Sequence, residues 1–152
     1  MVLLRRRPAR RNFVRGIEVS GAPARPAGDH VRRLFSGYDV VRTFAEPADV
    51  LELAVALPTD ATVNRQWVGA RGRAWRGRAR IDLRDGAGFS LSTTDRTAEV
   101  LQRCDGRATL GTLVAAVADE QGRPREELAA QIAPEATRLL GFGFLVAPGR
   151  RS

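Results

Sequence analysis

The stretch Leu91–Ala118, LSTTDRTAEVLQRCDGRATLGTLVAAVA, decides how the chain is read. Up to Thr93 apolar and polar residues alternate, and beyond it the apolar positions recur every three or four residues, the spacing of a single helical face. Thr97, Val100, Leu101 and Cys104 make the first stripe, on a helix starting near Asp95 and capped by Thr93 or Thr94, whose hydroxyls can accept the orphan N–H groups of a first turn. Asp105-Gly106 is expected to close this helix, since glycine readily takes the left-handed conformation just past a helix end. Leu110, Leu113, Val114 and Val117 make a second stripe behind a capping Thr109.

Downstream, a third helix begins near Pro124, an allowed first-turn position, and carries Leu128, Ile132, Ala136, Leu139 and Leu140. Pro134 falls inside that pattern, where it removes an N–H and should kink the helix. Gly141–Val146 (GFGFLV) reads as a closing strand able to pair with the strand that ends at Leu91. Strand, three helices, strand is the order of a winged-helix-like unit, placed at residues 88–148. None of the helices can bury its stripe alone, so the three pack together.

Upstream, residues 47–87 read as an antiparallel β segment. Leu53, Val55 and Leu57 alternate with Glu52, Ala54 and Ala56; Thr62–Val68 follows the turn Pro58-Thr59-Asp60. Along Arg73–Leu83 one parity holds Trp75, Ala79, Ile81 and Leu83, the other Arg76, Arg78, Arg80 and Asp82. Asp85-Gly86 then supplies a hairpin turn into Phe89 and Leu91. Residues 1–46 hold a hairpin (Val2–Arg7 and Phe13–Val19), a Pro- and Gly-rich linker over 20–28, and a helix. That helix is expected to take Asp29 as its cap, to bury Val31, Leu34, Phe35 and Tyr38, and to leave His30 facing solvent or capping the first turn. The fold class is therefore α+β.

A chain of 152 residues, 43% hydrophobic and 28% charged, has the composition of a soluble globular protein. No apolar run approaches the ~20 residues that span a bilayer, so no membrane contact is expected, and the single cysteine leads to the expectation of a reducing, cytoplasmic setting. Cys104 and His30 are the sole cysteine and histidine, which leaves no disulfide framework and no Cys/His metal site. The net charge of +8 invites a nucleic-acid reading. Every one of the 25 basic residues is arginine, however. Total absence of lysine beside abundant alanine, glycine and valine is also what codon bias in a GC-rich genome produces.

Glycine turns are the place to look for a cofactor, because a dinucleotide or S-adenosylmethionine needs backbone N–H groups just after a strand. Gly141-Phe142-Gly143 follows a helix, and Gly69-Ala70-Arg71-Gly72 lies between two strands; both read as turns. Cys104, on the apolar face of its helix, reads as a buried small hydrophobe. What remains is an arginine cluster. Arg65, Arg71, Arg73, Arg76, Arg78, Arg80 and Arg84 lie within twenty residues, and Arg76, Arg78 and Arg80 form a straight cationic row, since same-face strand residues repeat every ~6.6–6.8 Å. Trp75 and Trp67 lie close by and could stack on single-stranded bases. The competing reading is a solvated outer face. Acidic residues on the second and third helices (Asp119, Glu120, Glu126, Glu127, Glu135) argue against docking in a DNA major groove.

The phrases VLQRCDGRATLGTLVAAVA and LAAQIAPEATRLLGFGFL, with Pro134 inside the second, carry a family resemblance, joined more weakly by LLRRR and GDHVRRLF. Together they resemble the C-terminal half of a bacterial class I S-adenosylmethionine-dependent methyltransferase family that bears a winged-helix-like extension. The resemblance implies that Val2–Arg7 and Phe13–Val19 correspond to the last strands of a methyltransferase sheet. It also implies that the cofactor-binding and catalytic parts lie in a missing N-terminal domain. No catalytic, cofactor or metal residue then falls on this chain, which would be a fragment or split product acting as an accessory region. RNA or a ribosomal component is the expected partner. The LSTTDRTAEVLQRCDGRATLGTLVAAVA rhythm is also similar to small PqqD-like domains, which would imply a module that binds a leader peptide by strand addition.

Overall fold

In the computed structural model, residues 27–68, 76–84 and 89–147 are described, with the backbone alone at 67, 68 and 76. The expected hairpin over Val2–Val19, the Asp85-Gly86 turn, and Arg73 and Trp75 lie outside the described residues. In chain order the elements are α1 (Gly28–Val41), a 3-10 helix (Pro47–Glu52), β1 (Ala54–Ala56), β2 (Ala61–Val68), β3 (Arg76–Leu83) and β4 (Ser90–Thr94). After these come α2 (Asp95–Leu101), β5 (Asp105–Thr109), α3 (Leu110–Glu120) and α4 (Arg125–Gly141). The class is α+β.

Strands β2, β3 and β4 form an antiparallel sheet in that order. Its register sets Thr62 opposite Asp82, Asn64 opposite Arg80 and Gln66 opposite Arg78, with Thr94 and Ser92 beyond Arg78 and Arg80 on β4. Because strand side chains alternate between faces, this row is polar throughout. The other face holds Ala79, Ile81 and Leu83, which are buried. The period-2 reading of β3 was therefore correct in phase.

The helices follow from the caps. β4 passes into α2 without a loop, and Thr94 Oγ1 accepts the N–H of Thr97 at 3.2 Å. β5 passes into α3 the same way, with Thr109 Oγ1 accepting the N–H of Thr112 at 3.3 Å. Val114, Val117, Leu128, Ile132, Leu139 and Leu140 meet in one core that extends from Val40 to Leu145. Pro134 sits on the exposed side of α4, and the helix runs on through it to Gly141.

Four expectations need correction. Asp105-Gly106 does not close α2, which ends at Leu101; it opens β5, paired antiparallel with β1. The glycine rule does apply one helix later and again at the end of α4. There Gly143, at φ 73°, gives its N–H to Leu140 O while Phe144 gives its own to Leu139 O, the paired bonds of a glycine-closed helix end. That turn is the reason Gly141–Val146 is not a strand. Only Val146 pairs, and its partner is Ala56 of β1 (2.8 and 2.9 Å) rather than the strand carrying Leu91. The outer edge of that strand, β4, is taken by α4: Glu135 accepts the hydroxyl of Thr93, and Arg138 donates to Ser92 O at 2.9 Å.

The remaining two corrections concern α1. Asp29 lies inside the first turn rather than capping it. The buried stripe is His30, Leu34, Gly37 and Val40 rather than Val31, Leu34, Phe35 and Tyr38. Gly37 explains the rotation. A Cβ there would lie 1.9 Å from Leu140 O, so α1 rests its bare backbone on the end of α4, and the residues flanking that contact turn inward with it.

Candidate nucleic-acid interface and a buried histidine cluster

The polar row of the three-stranded sheet lines a shallow open groove. Asn64 and Gln66 stand on β2, Arg78, Arg80 and Asp82 on β3, Ser92 and Thr94 on β4, with Glu135 of α4 at the rim. Arg80 Nε reaches Asp82 at 2.7 Å, and the amide of Asn64 donates to the same carboxylate at 2.8 Å. The side chain of Arg78 is exposed and makes no hydrogen bond or ion pair among the described residues. Of the expected row, Arg76 is placed by backbone register opposite Val68. Arg84 stands past the strand end, donating to Thr59 O at 3.2 Å. The structure thus brings Arg78 and Arg80 together on one face. The register pairs Trp67 with Gly77.

Three of the acidic residues on the helices, Asp119, Glu120 and Glu127, are neutralised locally. Arg103 grips Glu120 with both terminal nitrogens at 2.7 Å, Arg125 holds Asp119 at 2.8 and 2.6 Å, and Arg123 reaches Glu127 at 2.5 Å. Hydrogen bonds from these arginines hold the carboxyls of Asp119 and Glu120 below their ordinary values. Over residues 27–147 arginines and carboxylates are equal in number, so the whole excess of +8 resides in residues 1–26 and 148–152. The long-range field of the chain comes from its two ends. The sheet face offers short-range contacts instead.

A second polar cluster went unnoticed in the sequence. His30, expected at the surface, is 1% exposed. Its Nε2 lies 3.0 Å from Phe142 O, and its ring meets Phe89 and Phe144 edge-on at 5.3 and 6.0 Å between centroids. One turn along α1, Arg33 donates to Gly143 O at 3.2 Å and to Asp60 at 2.9 Å. Burial lowers the affinity of the imidazole for a proton; the bond to Phe142 O opposes this, nearby Arg33 adds to it, and Asp60 opposes it more weakly. His30 Nδ1 and Asp60 Oδ1 are both buried without a hydrogen-bond partner among the described residues. The i, i+4, i+7 spacing of His30, Leu34 and Gly37 was the available signal, hidden because a histidine and a glycine do not read as an apolar stripe.

Cys104 is buried, its Sγ 3.5 Å from Val100 O, and burial pushes its thiol up to about 12. Such a thiol is a packing group, since the thiolate is the reactive form. No group of three His, Cys, Asp or Glu side chains is placed to hold a metal ion among the described residues. Both strand-to-helix junctions, β4–α2 and β5–α3, pass directly through a capping threonine with no glycine turn to bring N–H groups to a ligand. No helix among the described residues is long and apolar enough to cross a membrane. No protein-family model matches the chain, and no curated protein matches it.

Proposed function

We propose that this chain is a non-catalytic recognition region of a class I S-adenosylmethionine-dependent methyltransferase, contacting an RNA or ribosomal substrate through the open face of β2, β3 and β4. The methyltransferase assignment rests on the resemblance of residues 100–146. The surface assignment is carried by one observation: Arg78 is an exposed cation whose side chain has no partner among the described residues, set opposite Gln66 and beside Arg80, which faces Asn64. Guanidinium groups bind phosphate oxygens through paired donors, and side-chain amides can both donate to and accept from a base edge. On the outer faces of α3 and α4, Arg123 and Arg125 are already engaged by Glu127 and Asp119.

The alternative, a PqqD-like module adding a leader peptide to a sheet edge, meets an obstacle at β4. Glu135 and Arg138 already occupy main-chain and side-chain groups along that edge, and a peptide strand there would displace both.

Two measurements test the proposal. Calorimetry of the chain with S-adenosylmethionine is expected to show no binding; micromolar affinity overturns the non-catalytic reading. Binding to a structured RNA is expected to weaken with salt, and replacing Arg76, Arg78 and Arg80 by Ala should lower the log–log salt slope by about 2, at ~0.7–0.9 per phosphate contact. An unchanged slope assigns the binding to the arginine-rich ends and removes the sheet face from it.

A further inference from the structure

The contacts of α1 with the rest of the described protein are concentrated at one place, the glycine-closed end of α4. Gly37 lies on Leu140 O, His30 on Phe142 O and Arg33 on Gly143 O. Through α1 the chain enters the described body from residues 1–26. We propose that α1 is a pH-released latch whose trigger is His30, docked at neutral pH and loosened when the imidazole takes up a proton.

The geometry makes the latch sensitive to a single proton. The ring is enclosed by Phe89 and Phe144, so an imidazolium there would lose its water without gaining a new partner. Nδ1 has no acceptor among the described residues, and the proton would arrive on that atom, because Nε2 already faces the carbonyl of Phe142. The charged groups acting on the ring are Arg33 from α1 and Asp60 from the turn between β1 and β2. One oxygen of the Asp60 carboxylate, Oδ2, is held by Arg33 at 2.9 Å, and the other, Oδ1, makes no hydrogen bond to the ring. The α4 end and the entry to β4 face the ring with Phe142 O, Phe144 and Phe89, none of them ionisable.

The docked ring binds a proton less readily than a free one, whose ordinary value is 6.5. Docking is therefore complete above about pH 6.5 and weakens as the pH falls below it, because the undocked state takes up the proton first. The limit is about tenfold per pH unit.

Hydrogen exchange on the full chain tests this, with rates corrected for the intrinsic effect of pH. Between pH 7.5 and 5.5 the α1 amides should lose protection, by up to about tenfold for the single unit below 6.5, while those in the middle of α3 and α4 hold theirs. His30→Gln keeps a donor for Phe142 O without titrating, and its α1 protection should be flat over the same range. Unchanged α1 protection in the native chain overturns the latch, and so does an equal loss in α1 and α3, which would be global unfolding. Should the glutamine variant fail to fold, the imidazole resonance decides. His30 is the sole histidine, so its titration is read without assignment. A midpoint clearly below 6.5 supports the latch, and one at or above 6.5 overturns it.

Discussion

Gly37 and Cys104 show how much a single buried position can decide. A methyl group on Gly37 would collide with Leu140 O at 1.9 Å, and both atoms belong to helix backbone that cannot step aside separately. Gly37→Ala should therefore cost about 3 kcal/mol, the upper end of ordinary overpacking, read as a fall in the denaturation midpoint at unchanged slope. Cys104 makes the opposite kind of prediction. With its thiol pushed up to about 12, it should resist alkylation at pH 8 in the native chain and react only on unfolding. Labelling at a rate independent of denaturant would refute its burial. The apolar nature of Cys104 was legible from its place on a helical stripe. That of His30 was not, since nothing in the residue itself tells an imidazole that caps a neighbouring helix from one that faces water.

Among elements, those with an internal signal were legible and those made by a distant partner were not. α2 and α3 announce themselves by a threonine cap followed by a 3.6 period, and both caps are in place. Thr94→Ala and Thr109→Ala should each cost about 1 kcal/mol, measured by chemical denaturation; two neutral substitutions would show that the caps are incidental. β5, with the sequence DGRAT, has no alternation to find. It is a strand because β1 lies beside it. The edge of β4 carries a further consequence. Exposed edges invite pairing between molecules, and here Glu135 and Arg138 stand in the way. Replacing both by Ala should leave the fold intact and promote self-association, visible as concentration-dependent sedimentation. A monomer at every concentration would mean the edge is protected by other means.

At the scale of the whole molecule, composition and placement tell different stories about charge. A net +8 suggests a basic protein, yet residues 27–147 are balanced. The sheet face matters for where its groups stand, not for a surplus of charge. The arginine cluster was legible as a row because strand periodicity is rigid. Which members share a face with usable neighbours was not, because that depends on the pairing of β3 with both β2 and β4. The α+β class itself followed from periodicity alone.

The bridge between Ala56 and Val146 bears on the order of synthesis. β1 is made early, but its neighbours on either side, β5 and Val146, are made late. A growing chain that has passed β2 to β4 can pair that sheet within itself, while Ala54–Ala56 waits with one edge bare until β5 is delivered and the other until Val146 is. A nascent chain halted near residue 130 should accordingly be cut by protease around β1, and one released after residue 146 should not.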